Sequence, residues 1–442
     1  MTDTLPRMFD ITQNFDRDKL SILGNRMLTG MPRTGGPPAG YTYLSQFIAH
    51  DLTQLSTARS RPLHHGEEPG QVRDPALDLD TVYSGTASSG PNVLSDGSMR
   101  VDMTIPVGGR STQTDLPRGS DGMPLIPDER NEDNLFVAQV HVLFLRLHNY
   151  LLEQHGGHLE KPEDRFKFGR ENVIRVYHEI IRQDLLRRVV DERVYDVMVV
   201  EDRHQKWDQL TVPKEFAGAA FRFGHPMVQD RYRVGSGPSK QLKHFLTMTG
   251  RRGFGGITKY GLPESERVDW RSMFFDRREG YPGPAGLHKN EAFGITPFLN
   301  MTVIPVGQWN EPNMAIRNLH RSDELSLPSG QKLVDEITQQ DAILTNELGI
   351  RKLTAAEVNA DNVLDQLELD AQTPLWFYLL AEAFRLGRGR KLGPLGSYIV
   401  TDVLMGLIKL SPQFGSAPLP TPSGRPWTMS EMVHDILLLP DR

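Results

Sequence analysis

The sequence predicts a single large, mainly α-helical domain with few short strands and long loops. Apolar residues recur at helical spacing in stretches dispersed along the chain, few windows alternate with period two, and no clean linker separates the stretches. The 442 residues suffice for one large core, although length alone also allows several domains. The Gly- and Pro-rich run from Met31 to Pro38 predicts an irregular N-terminal arm over residues 1–38, followed by one domain over residues 39–442.

The strongest helical pattern runs from Asn134 to Gln154, and a second amphipathic pattern runs from Phe168 to Val200. These should be two adjacent helices. Weaker patterns predict further helices at 214–228, 330–348, 354–368, 374–385 and 395–410. Residues 56–122 are rich in Gly, Ser, Asp and Pro and should be mostly loop, which at this length is usually functional or disordered.

Composition restricts the chemistry that the chain can perform. The absence of cysteine excludes disulfides, thiolate catalysis and zinc–thiolate sites. A formal net charge of -6 without a long basic run argues against a nucleic-acid partner, so we expect a small molecule. We find no unbroken apolar run long enough to span a bilayer. The first residues lack the pattern of a secretory signal, so we expect a cytoplasmic location, with leaderless export as the alternative.

The segment from Gln46 to Asp51 places an amide, an imidazole and a carboxylate within a mostly apolar helical run. Gln46 and His50 are spaced i, i+4 and therefore share one helix face, so both could line one pocket. Asp51 points about 100° away from His50. A histidine in such a run is more often a satisfied core residue, so the pattern alone leaves a structural role open.

Oxygen-bearing residues alternate along the loop that follows residue 73, at Asp74, Ala76, Asp78 and Asp80. Calcium collects about six to eight oxygen ligands, including backbone carbonyls, and such a loop can provide them. An acidic, solvated loop is an equally good interpretation. Asp51 could add a ligand, which would couple the His50 helix to the loop.

The charged run from Asp128 to Asn134 is typical of a solvated surface, and composition alone favours that interpretation. It contains Arg130 and Asp133. His141 and His148 on the following helix lack a third ligand nearby, so packing or surface roles are favoured over a metal site.

The segment Phe221-Arg-Phe-Gly-His-Pro226 combines an imidazole with a glycine that permits close approach to a flat partner. Arg222 would pair with an anionic group. The alternative is a helix-capping His225 with an incidental arginine. Farther along, Asn318 could orient the second nitrogen of a metal-bound imidazole, or its segment could simply be a helix that ends before a turn.

In this order, the segments resemble the animal-type haem peroxidases of the peroxidase–cyclooxygenase superfamily, particularly its bacterial members. The resemblance runs from about Pro37 to Pro412. On the distal side it implies that His50 is the base and Gln46 a hydrogen-bond donor in the pocket. Arg130, eleven residues before His141, resembles the catalytic arginine of the family.

On the proximal side, the resemblance implies that His225 is the ligand of the haem iron and Asn318 its hydrogen-bond partner. Arg222 and Arg321 would lie near the haem propionates. The resemblance also implies a calcium site, with ligands from Asp51, Asp74, the Ala76 carbonyl, Asp78 and Asp80.

The chain departs from the family at the positions that bind haem covalently in mammalian members. Ala49 replaces an ester-forming aspartate, Asp133 replaces an ester-forming glutamate and is one methylene shorter, and Asn134 replaces a methionine that forms a sulfonium link. We therefore expect haem b bound non-covalently, or with at most one ester through Asp133. Arg222 stands where cyclooxygenases and α-dioxygenases carry a radical-forming tyrosine.

The resemblance implies an enzyme that reduces hydrogen peroxide and oxidises a small donor, such as a halide, thiocyanate or a phenol. His50 would move the peroxide proton, and Arg130 would stabilise the developing negative charge. One alternative is a haem-dependent fatty-acid dioxygenase, which requires that another tyrosine reach the haem. The other is a non-catalytic, calcium-binding adhesive scaffold that binds little haem.

Overall fold

The computed structural model describes residues 5–30, 34–53, 75–83, 92–104, 109, 111–203, 209–235, 237–247, 261–275, 288–300, 311–359 and 362–437. These residues are mainly helical. The helices are α1 Arg17–Arg26, α2 Gly40–Leu52, α3 Asp80–Tyr83, α4 Leu135–His155, α5 Pro162–Glu179, α6 Leu186–Val189, α7 Glu192–Tyr195, α8 Lys214–Gly218, α9 Leu242–Thr247, α10 Trp270–Met273, α11 Met314–Glu324, α12 Gly330–Gln340, α13 Ala342–Leu348, α14 Ala355–Val358, α15 Leu375–Arg385, α16 Pro394–Leu410 and α17 Met429–Leu437.

The strands are short and pair in twos, which confirms the predicted fold class. They are β1 Thr34–Pro38, β2 Asp102–Met103, β3 Gln113–Asp115, β4 Arg231–Tyr232, β5 Lys240–Gln241 and β6 Glu291–Phe293. Among the described residues, the antiparallel pairs are β1 with β6, β2 with β3, and β4 with β5. No large sheet organises these residues, so packing between helices forms the core.

Helix α4 lies at the centre of the core. Asn134 caps its first turn by accepting from the Val137 N–H, and Gly156 ends it. The helix is long and apolar enough to cross a membrane, but 89% of its apolar window is buried inside the protein. Phe144 of α4 stacks on Phe47 of α2, with ring centroids 5.0 Å apart. The central helix thereby positions α2.

The predicted helix at 168–200 is interrupted in the structure. It begins earlier, at Pro162, because proline suits the first turn of a helix. It then widens into π-helical turns at Ile180–Leu185 and Asp196–Val200, with a break at Val190 where the backbone is extended. The side chain of Asp191 restarts the helix by accepting from the Arg193 N–H.

The N-terminal 38 residues are not irregular throughout, which corrects the expectation of an irregular arm. Asp16 caps α1 by accepting from the N–H groups of Asp18 and Lys19. Leu20 and Leu23 of α1 are fully buried. Helix α1 packs against α11, so this segment belongs to the core. A short amphipathic helix precedes the Pro- and Gly-rich run, and the sequence pattern did not predict it.

A buried carboxylate, Asp184, joins segments that are far apart in the chain. It accepts hydrogen bonds from the Tyr41 hydroxyl in α2 at 2.8 and 2.9 Å and from the Met429 N–H in α17 at 2.7 Å. Arg188 neutralises its charge at 2.6 Å. The side chain of Asp184 is almost fully buried, so this ion pair is better shielded from water than a surface pair.

Candidate active site

A cavity of about 380 Å³ lies between α2, the segment from Phe216 to Val228, and the start of α11. This volume lies within the range of about 300–1,000 Å³ that is common for cofactor and ligand sites. His50 and His225 both line it. The two imidazoles that the sequence singled out therefore face one shared space, although they are far apart in the chain.

One face of α2 forms a wall of the cavity. Tyr43, Gln46 and His50 line the cavity at spacings of three and four residues, as the helical repeat requires. The Gln46 side-chain oxygen accepts a hydrogen bond from the Asn134 Nδ2 at 3.0 Å, which connects this wall to the start of α4. The prediction that Gln46 and His50 share one pocket is in accord with this geometry.

Asn131 contacts the ring of His50 at its Nδ1 atom. The His50 Nδ1 and the Asn131 Oδ1 are 2.9 Å apart, and the Asn131 Nδ2 lies 3.1 Å from the His141 Nδ1. Burial, followed by the charge of Arg130, lowers the pKa of His50 to about 4. The imidazole is therefore neutral near pH 7, as a general base must be.

Arg130 lies behind His50 and is not among the described residues that line the cavity. Its guanidinium pairs with Asp128 at 2.6 Å and also donates to the carbonyls of His50, at 2.6 Å, and Thr53. Burial alone would raise the pKa of Asp128, but hydrogen bonds and charge from Arg130 outweigh this and lower it to about 2. Arg130 thus caps the end of α2, and its catalytic role stays a prediction.

His225 follows the short 3-10 turn Ala220–Arg222, and Asn318 on α11 supports it. The Asn318 Nδ2 lies 2.7 Å from the His225 Nδ1 and donates to it, so in this orientation the proton of the neutral ring lies on Nε2. Metal binding through Nε2 requires the amide to turn and offer Oδ1 to an Nδ1–H. The Arg222 guanidinium donates to the Asn318 Oδ1 at 2.9 Å and to the Ala217 carbonyl at 2.8 Å. Burial, together with the charges of Arg222 and Arg317, lowers the pKa of His225 to about 3. The ring is neutral and suited to bind a metal.

Two guanidinium groups line the cavity beside His225. Burial lowers the pKa of Arg222 to about 9, with further effects from Arg321 and Arg317, and lowers the pKa of Arg317 to about 10. Arg321 pairs with Glu324 at 3.1 Å and is not among the lining residues that the structure describes. Since these cations repel one another, an anionic ligand in the cavity would relieve the repulsion. Arg317 is a functional candidate that the sequence reasoning did not select.

Replacing Arg317 by leucine should weaken binding of an anionic cofactor by about 10- to 150-fold, because one charge-assisted hydrogen bond contributes roughly 1.5–3 kcal/mol. Arg321→Leu, one helical turn farther along α11, is the matched control and should have a smaller effect. Haem titration of both variants measures the difference. Equal losses would contradict the assignment of Arg317.

The loop at residues 76–80 packs onto Asp51, as the calcium interpretation requires. Asp51 accepts from the N–H groups of Leu79 at 3.2 Å and Thr81 at 3.4 Å. The Thr81 hydroxyl is buried and has no hydrogen-bond partner among the described residues. Asp78 pairs with Arg170 at 3.2 Å.

The predicted calcium ligand Asp74 lies outside the described residues. Within the described ranges, no group of three or more His, Asp or Glu side chains is placed to hold a metal ion. The loop therefore approaches Asp51, but a complete ligand set is not assembled there. The calcium site stays a prediction.

The sequence and the fold were compared with known proteins. Residues 53–251 match the family model of the animal haem peroxidases. None of the curated proteins matches the sequence. The structure is similar to peroxidase A from Dictyostelium discoideum, with a TM-score of 0.60 and 15% identity over 100% of this chain and 95% of that one.

The structure is also similar to the fatty acid alpha-dioxygenase of Oryza sativa, with a TM-score of 0.58 and 11% identity over 99% of this chain and 80% of that one. A palmitic acid complex of a variant of that dioxygenase gives a TM-score of 0.61 and 12% identity over 97% and 78% of the two chains. At these identities the structures establish the fold.

The fold is shared with a peroxidase and with a fatty acid alpha-dioxygenase, and His50 and His225 line one cavity within it. More particularly, residues 53–251 match the model of the animal haem peroxidases, which confirms the resemblance seen in the sequence. The matched region contains Arg130 and His225, whereas α2 with His50 lies just before it.

The residues around the cavity fit a haem, which the family implies. His225 would hold the iron, and Arg222 and Arg317 would meet carboxylate groups. Phe216, Phe221 and other apolar side chains form part of the walls. A Cβ atom added at Gly224 would have only Thr42 Cγ2 within 4 Å, at 4.0 Å, so the backbone beside His225 leaves open space. Asp133 also lines the cavity, so an ester link through it stays a prediction.

Proposed function

We propose that the protein is a haem-dependent peroxidase that reduces hydrogen peroxide and oxidises a small donor. The supporting observation is that His50 and His225 line one cavity from different segments, each with its Nδ1 held by an asparagine. The donor that we propose is a halide, thiocyanate or a phenol.

The side chains have separate tasks in this reaction. When bound, haem supplies an iron that exchanges electrons with peroxide and donor. His225 would hold it through Nε2, with the Asn318 amide turned so that its oxygen accepts from the Nδ1–H. His50, whose Nδ1 faces Asn131, would take one peroxide proton at Nε2 and return it to the departing peroxide oxygen, which leaves as water. Arg130 fixes the end of the helix that carries His50 and adds positive charge behind it.

An absorption spectrum of the purified, haem-replete protein before and after stoichiometric peroxide tests the proposal. We expect a Soret band that changes on addition of peroxide and returns on addition of a donor. A protein without a Soret band would support a non-catalytic scaffold instead. A Soret band that peroxide does not change would exclude the peroxidase.

A fatty-acid dioxygenase is the second candidate, favoured by one specific observation. Tyr43 is buried and lines the cavity, and its ring stacks on Phe136 at 4.5 Å between centroids. A tyrosine therefore does reach the cofactor space, although Arg222 occupies the position where dioxygenases carry theirs. Uptake of oxygen with a fatty acid, without added peroxide, that is lost in Tyr43→Phe would select this function.

We also propose that calcium binds between Asp51 and the loop at residues 76–80 and couples the loop to α2. The buried, unpartnered Thr81 hydroxyl beside Asp51 supports this proposal. In this proposal, Asp74, Asp78, Asp80 and the Ala76 carbonyl would supply the other ligands.

Removal of calcium with a chelator should lower the unfolding temperature and the peroxide reactivity, and calcium should restore both better than magnesium, because magnesium demands a smaller, more regular site. Asp51→Asn should abolish this response, whereas the exposed Asp164→Asn on α5 should preserve it. Metal analysis and thermal unfolding provide the measurements. Full activity after verified removal of calcium would contradict the coupling.

A further inference from the structure

The side chain of Asn131 lies between two imidazoles. Its Oδ1 is 2.9 Å from the Nδ1 of His50, and its Nδ2 is 3.1 Å from the Nδ1 of His141. Asn131 is 0% exposed, His141 1% and His50 9%, so water does not compete for these contacts. The three side chains form a buried, hydrogen-bonded row that ends at the cavity.

We infer that Asn131, oriented by His141, is a positioning residue that fixes the tautomer and the ring orientation of His50. An amide oxygen only accepts hydrogen bonds, so the His50 Nδ1 must carry a proton. Its lone pair is then on Nε2. An amide nitrogen only donates, so the His141 Nδ1 must accept. The catalytic consequence rests on the proposed peroxidase function, whereas the tautomer does not.

His141 is needed because an asparagine amide has two orientations. Without an acceptor on the far side, the amide could turn and offer its NH₂ group to His50, which would move the His50 proton to Nε2. The ring of His141 is held edge-on against Phe47, with centroids 6.2 Å apart. With the proton of His141 on Nε2, its Nδ1 accepts from the Asn131 Nδ2, and this contact favours the amide orientation that offers Oδ1 to His50.

The turn that carries Asn131 holds His50 at two points. Arg130 donates to the His50 backbone carbonyl at 2.6 Å, and its neighbour Asn131 meets the ring. The turn Glu129–Glu132 is itself capped by Asp128, which accepts from the Arg130 N–H. Backbone and side chain of His50 are therefore positioned together from one rigid segment.

The nitrogen spectrum of the His50 side chain tests the inference directly. It is recorded on full-length, haem-loaded protein, reduced and saturated with carbon monoxide to make it diamagnetic, and it is assigned with His50→Gln. We expect the Nδ1–H tautomer. Asn131→Leu should shift His50 to the Nε2–H form and slow the peroxide reaction by about 10–100-fold, as loss of a partner of a working histidine does.

Asn131→Asp retains the acceptor oxygen and should restore the Nδ1–H tautomer together with part of the rate. Asn172→Leu, a buried asparagine of α5 that bonds to the Phe168 carbonyl of its own helix, is the matched control and should change neither. His141→Phe should give a mixture of tautomers.

The Nε2–H tautomer in the unmodified protein, or an unchanged tautomer in Asn131→Leu, would overturn the inference. If Asn131→Leu does not fold, Asn131→Asp and His141→Phe decide it. If the protein binds no haem, the same spectrum of the haem-free chain still reports the tautomer. Failure of the proposed function is therefore distinguishable from failure of this inference.

Discussion

Replacing His50 by alanine should slow the reaction with hydrogen peroxide by about 10²–10⁴-fold, the range typical for loss of general acid–base catalysis. The pKa of about 4 keeps the ring neutral near pH 7, so the wild-type side chain is ready to accept a proton. Stopped-flow absorption at the Soret band measures the rate constant.

Haem should stay bound in this variant, because His225 and the two arginines are intact. His158→Ala, an exposed histidine between α4 and α5, is the control and should react like the wild type. A rate constant for His50→Ala within a factor of about two of the wild type would remove His50 from the mechanism.

Replacing His225 by alanine should weaken haem binding by at least about 100-fold, because it removes the metal ligand itself. Removal of the hydrogen-bond partner of His225, as in Asn318→Leu, should weaken haem binding less, by about 10–100-fold. Haem titration followed at the Soret band measures both affinities. Imidazole added to the His225→Ala protein should fill the space of the lost ring and recover part of the original spectrum.

The control for folding is the unfolding temperature of the haem-free variants, which should differ little from that of the haem-free wild type. Unchanged haem affinity and an unchanged spectrum in His225→Ala would show that another residue binds the iron. The assignment of the proximal side would then be wrong, whereas the distal assignments would be judged separately by His50→Ala.

The sequence predicted the helices that the core buries on most sides. The pattern at 134–154 corresponds to α4 and the pattern at 395–410 to α16, because apolar periodicity over several turns leaves few alternatives. The prediction of a helix at 354–368 was wrong for most of its length. The helix ends at Val358, and Gln366 and Glu368 have positive φ angles that no local propensity indicates. Tertiary packing outside the segment overrides its periodicity.

At the site, the family motifs marked His225 and Asn318, and the structure brings their side chains together. The site residues that the sequence did not predict are placed by contacts between distant parts of the chain. Asn131 and His141 lie in a charged run and on an apolar helix, where solvation and packing are the ordinary interpretations. Only folding reveals that the amide of Asn131 faces His50, which precedes it by 81 residues.

The hydrogen bonds of Asp184 affect the order in which parts of the protein fold during synthesis. Its carboxylate holds Tyr41 at the start of α2 and Met429 at the start of α17, so these contacts close nearly the whole length of the chain. Contacts between such distant residues form slowly because much chain entropy is lost. During synthesis, the wall that carries His50 should therefore be completed only after α17 leaves the ribosome, and insertion of the cofactor should follow that step.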